Sequence, residues 1–213
     1  EKSNTMNGFF QEKVLTLRKK IDKDLVTCPF KKLIHKMAQQ KLSFSFREVT
    51  NFEVKRILKQ MKRSQSAAMD GISSALIKPA IEEVTPLVAF MINKSLQEGV
   101  FPEIYKQAKV CCLYKGKGPK SEKKSYRPIS NLPLFGKVLE TVVDHQLREF
   151  FEENKLLGKN QHGFRRSRST STALLSASTK WIEDRHRKWV QGCILYDLSA
   201  AYDVLDKEIF LRK

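Results

Sequence analysis

Residues 108–130, AKVCCLYKGKGPKSEKKSYRPIS, constrain the fold more than any other stretch. An apolar run from Val110 to Tyr114 meets a bend rich in Gly, Lys and Ser, and a short return segment follows around Tyr126 to Ile129. Aromatic and β-branched arms around such a bend predict a hairpin. On either side the apolar spacing becomes helical. Thr50 and Glu53 form a capping box ahead of Val54, Ile57, Leu58 and Met61. Thr85 and Pro86 are expected to start a helix that Gly99 and Pro102 end. Val138, Leu139, Val142, Leu147, Phe150 and Phe151 mark a long core helix, and the Ser/Thr run after Arg168 caps another that reaches about Arg187. Near the start, Phe9, Phe10, Val14, Leu17 and Ile21 recur at helical spacing, so this helix needs a surface outside itself. Helices and short strands in this order predict an α+β fold, mostly helical, with helices covering a small antiparallel sheet.

Charge narrows the function. The 213 residues include 40 Lys and Arg against 23 Asp and Glu, a formal charge of +17, which favours a polyanionic partner and nucleic acid above a membrane surface. No apolar run reaches the roughly 20 residues that cross a bilayer, and the first residues hold no signal-type apolar core, so an intracellular protein is expected. Cys28, Cys111, Cys112 and Cys193 form no C-x-x-C pair, and their apolar surroundings predict buried thiols.

In this basic chain one acidic stretch stands out: CILYDLSAAYDVLD, residues 193–206. Residues Cys193 to Leu198 read as a short apolar strand carrying Asp197 near its end. A carboxylate there needs a cation or hydrogen bonds to offset its desolvation. A divalent metal in phosphoryl transfer is one partner. The other reading makes Asp197 a turn cap and Asp203 or Asp206 a helix cap, and Asp206 is assigned to that role outright. A phosphotransferase with Asp197 as nucleophile is disfavoured, because the second acid such enzymes place two residues on is here Ser199. In the hairpin, Lys115, Lys117 and Arg127 could reach nucleotide phosphates, whereas Lys120, Lys123 and Lys124 read as a solvated turn. Gly163, Phe164 and the arginines at 165, 166 and 168 place close backbone approach, an aromatic face and positive charge in one loop; Phe164 is equally readable as a core anchor.

Four stretches in order carry a resemblance. DGISSALIK (70–78), YKGKGPKSEKKSYRPISNLPLFGKVLE (114–140), QHGFRRSRST (161–170) and YDLSAAYDVLD (196–206) resemble successive motifs of the reverse transcriptase of Jockey-like, non-LTR retrotransposons. The family patterns are PGPDGIPAELLK, YRPIS, QHGFRPGRST and LDLSKAFDTVDH. The resemblance implies right-hand polymerase fingers over residues 43–190, the start of a palm over 191–213, and a helical N-terminal extension or linker over 1–42. It implies an RNA-directed DNA polymerase using Mg2+, an RNA template, a DNA primer and dNTPs. Asp197 and the Leu198 carbonyl then become metal ligands, with Asp197 catalytic. Lys115, Arg127, Ser199, Ala200, Ala201 and Tyr202 meet the nucleotide, with Tyr202 excluding a ribose 2'-OH, and Gln161, Gly163, Phe164 and Arg165 line the template.

Departures accompany the likeness. The family's PGP is Ala67, Ala68 and Met69, its Gly in the third motif is Ser167, and its Lys before the palm aromatic is Ala200. No Asp-Asp pair occurs in the chain, so the reading is of fingers and a partial palm, cut inside the active site and inactive alone. A polyprotein with an endonuclease upstream and palm and thumb downstream, in nuclear and cytoplasmic ribonucleoprotein, is the expected setting. The rival is a non-catalytic nucleic-acid-binding protein derived from such an element.

Overall fold

The computed structural model describes residues 2–24, 42–198, 200–207 and 210. The chain divides into two compact units, Glu1–Gln146 with Ala200–Lys213, and Leu147–Ser199. Among the described residues the architecture is α+β, mostly helical with one two-stranded antiparallel sheet.

In the first unit the helices are α1 (Lys2–Asp24), α2 (Asn51–Gln60), α3 (Ser74–Ile77), α4 (Ile81–Glu98), α5 (Glu103–Lys106) and the first part of α6 (Leu134–Glu153). Strands β1 (Lys109–Tyr114) and β2 (Tyr126–Asn131) form the hairpin. Val54, Ile57 and Leu58 of α2, Val88, Ala89 and Ile92 of α4, and Val138, Leu139 and Val142 of α6 make one apolar cluster. Each set recurs at helical spacing, so one face of each helix leaves water.

Among the described residues the extended lead-in to α2 has no strand beside it, and two side-chain amides take that role. Gln146, 6% exposed, accepts from the Arg47 N–H at 2.9 Å and donates to its carbonyl at 3.0 Å. Asn93 accepts from the Val49 N–H at 2.8 Å and donates to its carbonyl at 3.0 Å. The backbone polar groups of Arg47 and Val49 are thereby satisfied without a sheet.

The capping box on α2 forms as expected: Thr50 Oγ1 accepts from the Glu53 N–H at 3.2 Å, and the Glu53 carboxylate accepts from the Thr50 N–H at 2.9 Å. Elsewhere local signals were overridden. The helix expected from Thr85 begins at Ile81, with Pro86 inside it; Glu82 and Glu83 occupy its first turn, where they suit the helix dipole. Its end is as expected, with Gly99 at φ 65°. On α6, Phe151 is exposed and Leu147 and Phe150 are half-buried, so the apolar stripe outruns the core.

The cysteines correct a second expectation. Cys111 and Cys112 are adjacent on β1, point to opposite faces, and are both exposed. Leu113 and Ile129 are exposed too, so helices do not cover this sheet as expected. Cys193 is exposed as well, and Cys28 lies outside the described residues.

The second unit holds the end of α6, a loop, and α7 (Thr170–His186). Ser169 caps α7 in a reciprocal box with Thr172. The strand expected at Cys193–Leu198 is not formed: residues 191–198 have no regular structure and are exposed. A strand needs a hydrogen-bonding neighbour, and the sheet contains only β1 and β2.

The α2 cap makes a pH prediction. The Arg47 guanidinium, and after it the Thr50 N–H, hold the Glu53 carboxyl down at about 2 against an ordinary 4.5. A depressed carboxyl contributes stability above its ordinary value, and the contribution drains away as pH falls from 4.5 through about 2. Glu53→Gln should therefore lose less stability than the parent between roughly pH 5 and roughly pH 2.5 in urea melts. Equal losses would show that the pair contributes nothing.

Candidate nucleotide and nucleic-acid site

The hairpin positions the first two cations by register. Leu113 pairs with Arg127 and Tyr114 with Tyr126, and the Lys115 N–H continues the ladder to the Ser125 carbonyl at 2.8 Å. Side chains alternate faces with period two, so Lys115 and Arg127 fall on the same face as diagonal neighbours. The bend between the strands is tightly built. The Tyr114 hydroxyl donates to the Gly118 carbonyl at 2.6 Å and the Tyr126 hydroxyl to the Lys120 carbonyl at 2.9 Å. Gly118 has φ 83°, and a Cβ there would meet Ser125 Oγ at 2.7 Å, so the position needs glycine twice over. Lys115 donates its ammonium to the Lys124 carbonyl at 2.6 Å, and Arg127 forms no ion pair among the described residues.

A cavity of about 660 Å3 opens beside this face, and Lys115, Arg127, Ala200 and Asp203 line it. Ala200 is in the left-handed region at φ 53°, and its carbonyl accepts from the N–H groups of Asp203 and Val204 at 3.0 and 3.1 Å. This turn carries Ala201 and then Tyr202, whose ring is 79% exposed. Asp206 stands where a helical turn starts, its carbonyl accepting from the Phe210 N–H at 3.0 Å, while its carboxylate meets Arg18. Ser199 lies outside the described residues.

In the second unit, Gln161, Gly163, Phe164 and Arg165 share the loop between α6 and α7. Phe164 is not a core anchor: its ring is 76% exposed at φ 58°, with Arg148 donating to its carbonyl. Arg165 makes a two-pronged contact with Glu152, Nε to Oε1 at 2.8 Å and Nη2 to Oε2 at 2.5 Å, and its Nη1 donates to the Gly158 carbonyl at 3.0 Å. The pair holds Glu152 below its usual range and pushes Arg165 up. Arg165 thus ties the loop to the end of α6, and Arg168 does similar work by donating to the Lys159 carbonyl at 2.8 Å. Arg148 and Glu152 were not foreseen, since nothing in sequence spacing links them to the loop. Asp197 and Leu198 are in this unit, both exposed.

Comparison with known proteins finds similarity over part of the chain. Residues 117–213 match the family model described as reverse transcriptase (RNA-dependent DNA polymerase). The chain is 27% identical over 163 residues to the RNA-directed DNA polymerase from mobile element jockey of Drosophila melanogaster, covering 76% of this chain and 18% of that protein. Similarity to the probable RNA-directed DNA polymerase from transposon BS of the same species is 24% over 162 residues, with the same 76% and 18% coverage. A 115 kDa protein in type-1 retrotransposable element R1DM of that species is 33% identical over 123 residues, covering 57% of this chain and 12% of the relative. The chain therefore spans less than a fifth of the length of these curated relatives.

Reverse transcriptases work with divalent metal ions. Asp197 and the Leu198 carbonyl are oxygen donors of the kind a hard cation takes, and together they could supply at most two of the roughly six ligands it needs. Among the described residues no three His, Cys, Asp or Glu side chains are grouped to hold an ion. The rest of such a shell has to come from water, the triphosphate or further carboxylates.

The geometry also accounts for one departure from the family pattern. Ser167, where the family has Gly, sits at φ 59°, a conformation that costs a residue with a Cβ about 1 kcal/mol or more. Ser167→Gly should raise the stability of the loop by up to about 1 kcal/mol, and Ser167→Val should lower it by more. Resistance of the loop arginines to limited trypsin digestion checks both. Equal resistance in all three proteins would contradict the backbone assignment.

Proposed function

We propose that this chain forms the fingers and the first part of the palm of an RNA-directed DNA polymerase of a non-LTR retrotransposon, which extends a DNA primer 3'-OH with dNTPs along an RNA template. One observation carries the reading. Lys115, Arg127 and Ala200 come from two motifs far apart in the chain, and they line one cavity. In this reading Lys115 and Arg127 bind the triphosphate, Arg127 through its planar fork. The amides of Ser199, Ala200 and Ala201 face the same phosphates. Tyr202 stands against the sugar, and Gln161, Gly163, Phe164 and Arg165 hold the template, with the exposed Phe164 ring offering a stacking face. Asp197 and the Leu198 carbonyl would hold Mg2+, which when bound stabilises charge on the attacking and leaving oxygens. A retrotransposon polyprotein in nuclear and cytoplasmic ribonucleoprotein is the proposed setting. No helix among the described residues is long and apolar enough to cross a membrane.

Two measurements test this. The 213-residue chain should bind single-stranded RNA, with affinity falling about tenfold or more between about 50 and about 200 mM salt as phosphate counterions are released. Salt-independent binding, or none at low salt, would reduce the positive charge to a solubility device. In a chimera that joins residues 1–213 to the downstream palm and thumb of a jockey-type enzyme, Asp197→Ala should abolish primer extension. Tyr202→Ala should instead raise ribonucleotide use relative to deoxyribonucleotide. Equal loss with both sugars would make Tyr202 a packing residue.

A further inference from the structure

The nucleotide reading uses two cations of the cavity and leaves a third unexplained. Lys13 of α1 lines the same space as Lys115 and Arg127, with Asp203 the one carboxylate on its wall among the described residues. Helix α1 is fixed there at two points. Lys123 places its ammonium 5.8 Å from the centroid of the Phe9 ring. Nine residues on, Arg18 donates to the Val204 carbonyl at 3.0 Å and meets Asp206 Oδ2 at 2.5 Å. At about 1.5 Å rise per residue the anchors lie roughly 13 Å apart along the helix, with Lys13 midway. One anchor grips the hairpin and the other grips the turn that follows Ala200, so α1 bridges the two motifs that supply the nucleotide residues.

We propose that Lys13 is a third phosphate-binding cation of this cavity, which makes α1 a wall of the nucleoside-triphosphate site. The inference rests on the nucleotide reading of Lys115 and Arg127. Among the described residues three cations stand against one carboxylate on the lining, an excess of positive charge that attracts an anion carrying several charges. The volume, about 660 Å3, lies within the range of roughly 300–1,000 Å3 usual for small-molecule sites. Phe10 on α1 and Tyr126 on β2 supply apolar wall for the base and sugar. Lys13 forms no ion pair or hydrogen bond among the described residues, so its charge is uncommitted. Lys115 spends one of its three donors on the Lys124 carbonyl and retains the others. A cavity of this volume matches a free triphosphate better than a continuous RNA strand.

The test is titration of the 213-residue chain with N-methylanthraniloyl-labelled dATP in magnesium, competed by unlabelled dATP and, separately, by single-stranded RNA. Lys13→Gln should weaken dATP binding about tenfold, the worth of one charge-assisted bond to phosphate. Lys13→Arg should keep most of the affinity. Lys19→Gln removes an exposed charge from the same helix without touching the cavity and should leave affinity unchanged. Lys13 is exposed, so circular dichroism should show the parent's helix content in each variant. If Lys115→Gln and Arg127→Gln weaken binding while Lys13→Gln does not, this inference falls and the nucleotide reading stands. Failure of the parent to bind dATP, or indifference of all three positions, sinks both. Loss of RNA binding alone on Lys13→Gln overturns the inference in favour of a template contact.

Discussion

Two carboxamides hold the first unit together where ordinary secondary structure stops. The chain reaches α2 through an extended segment, and an extended backbone must find partners for its N–H and C=O groups. Gln146 and Asn93 each bond both groups of one residue, Arg47 and Val49, two positions apart. Such spacing repeats the period of a strand, so two side chains on α6 and α4 stand in for a neighbouring strand. Val49 is buried in the core between those helices, and α2 starts two residues later. Replacing either amide by an apolar residue would leave two backbone groups without partners, at about 1–3 kcal/mol each. The packing of α2 against α4 and α6 thus hangs on polar contacts that no hydrophobic pattern reveals.

What could be read from sequence was the local part. The hairpin, the Thr50–Glu53 box, the Ser169 cap and the Gly99 terminus each depend on residues within a few positions, and each is present. Burial of the cysteines and formation of a strand at Cys193–Leu198 depend on what lies across from those residues, which local spacing does not encode. The motifs marked Lys115, Arg127 and Ala200 for the nucleotide, and the register and cavity lining show how the chain brings them to one wall. That α1 shares this wall was invisible: its apolar spacing called for a surface and gave no hint which one. Arg165 teaches a related lesson, because its resemblance to a template-lining residue says nothing of the internal tie to Glu152 that its geometry shows.

Positive charge is consequently of two kinds in this chain. Arg165, Arg168 and Arg18 are committed to carboxylates or carbonyls and shape the backbone around them. Lys13 and Arg127 are held at a cavity wall with no carboxylate of their own. A count of +17 cannot separate these roles, although only the second kind offers its full charge to a polyanion.

The exposed stretch near Asp197 has a consequence for how the 213-residue chain behaves in solution. Ile194, Leu195, Tyr196 and Leu198 all face solvent, at 75% exposure or more, on a backbone that no strand among the described residues pairs. A short run rich in aliphatic and aromatic residues, with no proline and one charge, is the composition that stacks into intermolecular cross-β ribbons. Proteins blunt such runs with flanking charges, and Asp197 interrupts this one from within. Asp197 is the single charge within residues 193–198, and in the 213-residue chain it therefore opposes self-association through this stretch.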